Sequence, residues 1–210
     1  MAQFTLYGPA LSTYVRTTRM ILEETSTPYT LESVDILSGE QTNADYLAKH
    51  PFGKVPTLVV DGEVLYETGA IAAYLDETLN GAGFTPTDPM QRAHMRQIMA
   101  IVDSYLYAPA ISTMTIQRLI VPSQGGQSDE AAIKAAVPKA KTALEAIEAI
   151  ATCSPYLLGN DVTLADFYLM PVVLYLSKTP EFGAVMEPTP KLKTWWETAS
   201  QRPSFVKVTS

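Results

Sequence analysis

The segment Lys54–Leu79, KVPTLVVDGEVLYETGAIAAYLDETL, constrains the fold more than any other stretch of the chain. Asp61-Gly62 sits between two runs of strand-forming residues, Thr57–Val60 and Glu63–Tyr66. An Asp-Gly pair readily takes the two positive φ angles of a type I′ turn, whose twist matches that of paired strands, so a two-residue antiparallel hairpin is predicted. Ile71, Tyr74, Leu75 and Leu79 then recur at helical spacing and place an amphipathic helix directly after the second strand.

Upstream, Phe4–Tyr7 reads as a short buried strand, and Val15, Ile21 and Leu22 give the next segment an apolar helical face. Pro28 ends that helix, and residues 29–36 alternate as a second strand would. The order βαβ followed by ββα predicts a small α/β domain over residues 1–80. Residues 81–87, rich in Gly, Thr and Pro, read as a linker, and Asp88-Pro89 supplies a cap followed by proline at the first helical position. Strand signals fade beyond it. Met95, Ile98, Met99, Val102 and Leu106 form one helical face, and Ile133, Val137, Ala140, Leu144, Ile147 and Ala151 form another, so residues 88–210 are predicted to be all-helical. Pro109 and Pro138 fall inside these patterns and predict a bend or break near each.

A formal charge of −7 and a pI near 4.8 argue against nucleic acid or an anionic membrane surface as partner, since both demand concentrated positive potential. No apolar run approaches the roughly 20 residues of a membrane span, and no cationic segment followed by an apolar one opens the chain. A cytoplasmic protein is expected. Cys153 is the single cysteine and cannot form an internal disulfide; with only His50 and His94 beside it, no metal site is expected.

Three stretches are candidates for chemistry. Ser12 follows the Gly8-Pro9 turn at the start of a helix, where a hydroxyl serves as a cap, a nucleophile or a hydrogen-bond donor to an anion. No G-x-S-x-G elbow accompanies it, which argues against an acyl-transfer nucleophile. The absence of cysteine from residues 9–14 argues against disulfide exchange by the protein itself. Donation to a ligand's thiolate remains. Val55-Pro56 opens the third strand. At Tyr66–Ala70, Thr68 reads either as a helix cap or as part of a carboxylate site at a helix N-terminus, and Glu67 beside it suits an ammonium group, so the pair fits an α-amino acid zwitterion.

Taken together these motifs resemble those of the cytosolic glutathione transferases, and the likeness covers essentially the whole chain. The matching features are the Val55-Pro56 step; Glu67-Thr68 followed by Ala70-Ile71, where the family usually has Glu-Ser-x-Ala-Ile; and NDVTLAD at Asn160–Asp166, the family's capping box. The opening LYGPALS and the segment HPFGKVP are similar to phi-type members. The resemblance implies a thioredoxin-like domain before an all-helical one, a cis Val55-Pro56 bond, and Ser12 as the thiol-activating hydroxyl, with Tyr7, at the end of the first strand, as its competitor. It implies glutathione contacts from Gln41, Lys54, Val55, Pro56, Glu67 and Thr68. Thr68 replaces the usual serine, and Gln41 and Lys54 stand where phi-type enzymes often have histidine and glutamine. The resemblance further implies a homodimer in which Asp103 reaches the partner's glutathione, and a second-substrate pocket between the domains lined by Leu11, Tyr107, Ile111 and Met114. The expected activity is conjugation of glutathione, held as its thiolate, to an electrophilic and mostly apolar small molecule, as in detoxification. A glutathione-binding carrier and a glutathione-dependent peroxidase or dehalogenase are the alternatives.

Overall fold

The computed structural model describes residues 2–79 and 83–210, so residues 81 and 82 of the expected linker lie outside the described residues. Two compact units result. One comprises the described residues up to Gly83 together with Arg202–Ser210, and the other comprises Phe84–Gln201.

The first unit is thioredoxin-like. It contains β1 (Phe4–Tyr7), α1 (Thr13–Glu24), β2 (Tyr29–Glu32), a 3₁₀ turn at Glu40–Thr42, the short α2 (Ala44–Leu47), β3 (Thr57–Val60), β4 (Glu63–Tyr66) and α3 (Thr68–Thr78). The sheet order is β2-β1-β3-β4, with β1 parallel to β2 and antiparallel to β3. The expected hairpin forms: Asp61 and Gly62 have φ of 50° and 95°, and Val60 pairs with Glu63. Leu6 and Leu58 from the sheet and Val15, Ile21, Ile71 and Leu75 from α1 and α3 are fully buried.

The second strand is shorter than its alternation suggests and stops at Glu32. Just beyond it the Asp35 carboxylate accepts the N–H groups of Leu37 and Ser38 at 3.0 and 3.1 Å, offering the backbone a turn in place of a ladder.

The second unit is helical. Asp88 caps α4 (Pro89–Ile101) by accepting the Gln91 N–H at 2.8 Å. From there the chain continues in π-helical register over Val102–Leu106 and Ala108–Ile120, with the Thr115 hydroxyl bonded to the carbonyl five residues back, that of Ala110, at 2.9 Å. Then come α5 (Val121–Ser123), α6 (Glu130–Ile150), α7 (Leu164–Leu176), α8 (Phe182–Met186) and α9 (Pro190–Ala199). Pro109 lies within the π register, whereas α6 runs through Pro138 without a break. Lys134 and Pro138 are both exposed, so the helix loses a hydrogen bond where water can replace it. Helix α7 is buried nearly all round, and its Asp166, fully buried, accepts hydrogen bonds from the N–H groups of Leu157 and Thr163, the Thr163 hydroxyl and the Trp195 indole.

The expected helical domain runs from 88 to the last residue, but the final helix, α10 (Pro203–Thr209), belongs with the first unit. Arg202 grips Glu24 at the end of α1, Arg19 donates to the Val208 carbonyl at 3.2 Å, and Phe205 and Val208 are buried.

Candidate functional site

Ser12 is the N-cap of α1. Its φ and ψ of −64° and 135° are extended, its carbonyl accepts the Arg16 N–H at 2.9 Å, and its Oγ accepts the Val15 N–H at 3.5 Å. The last contact is long, so capping engages the oxygen weakly. Among the described residues none accepts the hydroxyl proton, which leaves the half-buried Ser12 as cap and as potential donor at once.

The turn that carries Ser12 depends on Gly8. At φ 143° a β-carbon there would lie 2.5 Å from Val15 Cγ2 and 3.1 Å from Val55 Cβ. The β1–α1 turn therefore packs directly against Val55, and the Val55-Pro56 bond is cis. Tyr7, half-buried at the end of β1, has the Lys49 ammonium 5.5 Å from its ring centre.

Lys54 is exposed and Val55 half-buried. Their loop is pinned from below by a residue with no motif of its own: the Tyr46 hydroxyl donates to the Lys54 carbonyl at 2.7 Å and lies 3.0 Å from the Thr57 hydroxyl. Gln41 donates weakly to the Ile36 carbonyl at 3.4 Å, and its Oε1 is buried without a hydrogen-bond partner among the described residues. Gly53, at φ 58°, lets the loop pass Gln41, whose carbonyl oxygen would sit 3.0 Å from a β-carbon at that position.

At the β4–α3 junction the boundary residue is Glu67, so Thr68 does not cap the helix but begins it. Glu67 has φ 70° and ψ 114° and makes no side-chain cap bond. A non-glycine residue held there is strained, as residues at binding sites often are. The first N–H groups of α3 consequently receive no capping bond from the Glu67 side chain, whose carboxylate is exposed beside them.

Leu11 is 50% exposed beside Ser12. Asp103, exposed, and Tyr107, Ile111 and Met114 all belong to the helical unit. In π register residues four and five apart share a face, so Met114, three beyond Ile111, turns away from the face carrying Tyr107 and Ile111 and is fully buried. Cys153 is no candidate nucleophile: burial first, and the Glu148 carboxylate second, push its thiol up to about 12. Among the described residues no cluster of metal-ligating side chains occurs, and no helix is long and apolar enough to cross a membrane. A surface depression of about 590 Å³ lined by Arg19, Glu23, Tyr29 and Lys207 lies further along α1 from Ser12; Lys207 pairs with Glu23, and the Tyr29 hydroxyl accepts from Arg19 and donates to Glu23.

Two family models match the chain: glutathione S-transferase, N-terminal domain, over residues 11–78, and glutathione S-transferase, C-terminal domain, over residues 98–203. Glutathione S-transferase F13 of Arabidopsis thaliana is 32% identical over 97% of this chain and 93% of its own. The crystal structure of glutathione transferase F7 from Populus trichocarpa superimposes with a TM-score of 0.83 at 33% identity, covering 98% of this chain and 97% of that one. Glutathione S-transferase I from maize in complex with an atrazine glutathione conjugate matches with a TM-score of 0.82 at 29% identity, covering 98% and 96%.

Proposed function

The chain belongs to the glutathione S-transferase family, and we propose that Ser12 holds the sulfur of bound glutathione as its thiolate for attack on an electrophilic, mostly apolar second substrate. The observation that carries this reading is the Ser12 hydroxyl at the start of α1, with its proton uncommitted and its turn packed against the cis-proline loop.

A thiol with pKa about 8.5 is only a few per cent ionised at pH 7. A hydroxyl donor and the positive end of a helix that together lower it by about two units stabilise the thiolate by roughly 2.7 kcal/mol. The thiol proton passes to solvent, the sulfur lone pair forms the new C–S bond, and the leaving group departs with the electrons of the bond it gives up. The Val55 backbone, beside the cis Val55-Pro56 bond, pairs with the cysteinyl part of the tripeptide. Glu67 takes the γ-glutamyl ammonium, and the uncapped start of α3 with Thr68 takes the neighbouring carboxylate. Lys54 and Gln41 serve the glycyl end, and the unpartnered Gln41 Oε1 supports a ligand contact there. The maize relative's atrazine conjugate supports an apolar electrophile as the second substrate. A cytoplasmic detoxifying homodimer, with Asp103 facing the partner's glutathione, completes the proposal.

The test is conjugation of an aryl halide by Ser12→Ala. The variant should bind glutathione normally and lose about a hundredfold in turnover near neutral pH. Unchanged turnover, or a larger loss in Tyr7→Phe, would assign the thiolate to another group. Binding without turnover in the unsubstituted protein would identify a carrier.

A further inference from the structure

His50 takes no part in the chemistry above, yet it sits at the centre of the site's supporting layer. It is 2% exposed, stacked on Tyr46 with ring centres 6.4 Å apart, tilted against Tyr66 at 5.0 Å and edge-on to Phe52 at 6.2 Å. Its Nδ1 is buried with no hydrogen-bond partner among the described residues. The groups facing it come from three directions: Tyr46 from α2, Tyr66 and Glu67 from the β4–α3 junction, and Phe52 and Lys54 from the loop between them. Glu67 and Lys54 are both assigned above to glutathione, and Tyr66 is covalently joined to the strained Glu67.

The neutral ring suits this place. Burial lowers the His50 pKa from its ordinary 6.5; the Glu67 carboxylate and a hydrogen bond to the residue's own backbone oppose that shift, while Lys54 adds to it. The aromatic faces would attract an imidazolium, but a charge enclosed by three rings loses more solvation than those faces return. Its charge would also compete with a ligand's ammonium for Glu67 and repel Lys54.

We propose that His50 is a positioning residue: its neutral ring, packed under Tyr66, holds Glu67 in its positive-φ conformation for the γ-glutamyl ammonium, and its protonation weakens glutathione binding. This rests on the assignment of Glu67 to that ammonium. The link is reciprocal, so a bound ligand makes His50 harder to protonate.

S-Methylglutathione separates this effect from thiol ionisation, because it has no thiol and its own charged groups hold their state between pH 5 and 7. By calorimetry its Kd for the full protein should rise as the pH falls from 7 to 5, toward a limit at least about fivefold weaker once His50 is protonated, the lower end of ordinary coupling between sites. In His50→Asn, which cannot titrate, the Kd should change less than about twofold. The chain has only two histidines, so NMR of the imidazoles gives a readout that needs no variant: saturation with S-methylglutathione should lower the His50 midpoint and leave that of His94 in place. An affinity independent of pH, a fall that persists in His50→Asn, or an unmoved His50 midpoint would each overturn the proposal. Failure to bind at any pH would overturn the glutathione reading itself and this inference with it.

Discussion

Arg202 clasps Glu24 with two nitrogens at once: Nε lies 2.6 Å from Oε1 and Nη2 lies 2.7 Å from Oε2, across 178 residues of sequence. Both side chains are mostly buried, at 19% and 16% exposure, and the Ser204 hydroxyl shares Oε1. The pair fastens the C-terminal helix α10 to the end of α1, the helix whose other end carries Ser12. Arg202→Ala should cost about 2 kcal/mol, between the values for exposed and fully buried pairs. Urea denaturation measures the loss. Ser204→Ala, which leaves the fork intact, should cost about 1 kcal/mol or less.

Asp166 predicts a larger effect. Its two oxygens receive four hydrogen bonds of 2.8 to 2.9 Å, from the backbone N–H groups of Leu157 and Thr163, the Thr163 hydroxyl and Trp195 Nε1. Truncation to alanine strands every one of those donors in a place without water. Asp166→Ala should therefore cost about 3–5 kcal/mol. Trp195→Phe removes only one donor and keeps most of the apolar bulk, so it should cost about 1–2 kcal/mol. Thermal unfolding of the two variants side by side checks the order.

Much of this was legible in the sequence, for identifiable reasons. The Asp61-Gly62 hairpin, the Ser12 and Asp88 caps and the Thr163/Asp166 box are local devices in which a residue's own backbone preference or reach of three positions decides the outcome. The misses are nonlocal or depend on small energy differences. Nothing within a few positions of Arg202 announces Glu24. The end of β2 was set by a competing turn at Asp35, and the register of the helix through Tyr107 changed from α to π, a shift by one residue that apolar periodicity does not resolve. In the site, Ser12, Val55 and Glu67 stood out because their chemistry lies at element boundaries. Tyr46 and His50 did not, because each acts by reaching a loop that only the fold brings near.

Glu67 joins strain and function in one residue. Its φ of 70° with ψ of 114° is a positive-φ conformation that a β-carbon penalises and that glycine meets with less strain than glutamate. Glu67→Gly relieves a strain of about 1–3 kcal/mol. It also adds about 0.5–1 kcal/mol of chain entropy to the unfolded state. The net expectation is a protein as stable as the original or more stable by up to about 2.5 kcal/mol in urea denaturation. The same change removes the carboxylate assigned to the γ-glutamyl ammonium. Loss of a charge-assisted bond worth about 1.5–3 kcal/mol should weaken glutathione binding roughly tenfold or more by calorimetry. Glu67→Gln, which keeps the strain and removes the charge, should lose affinity without gaining stability. A glycine variant that is markedly less stable would show that the conformation is held at no cost, and the link between strain and binding would fail.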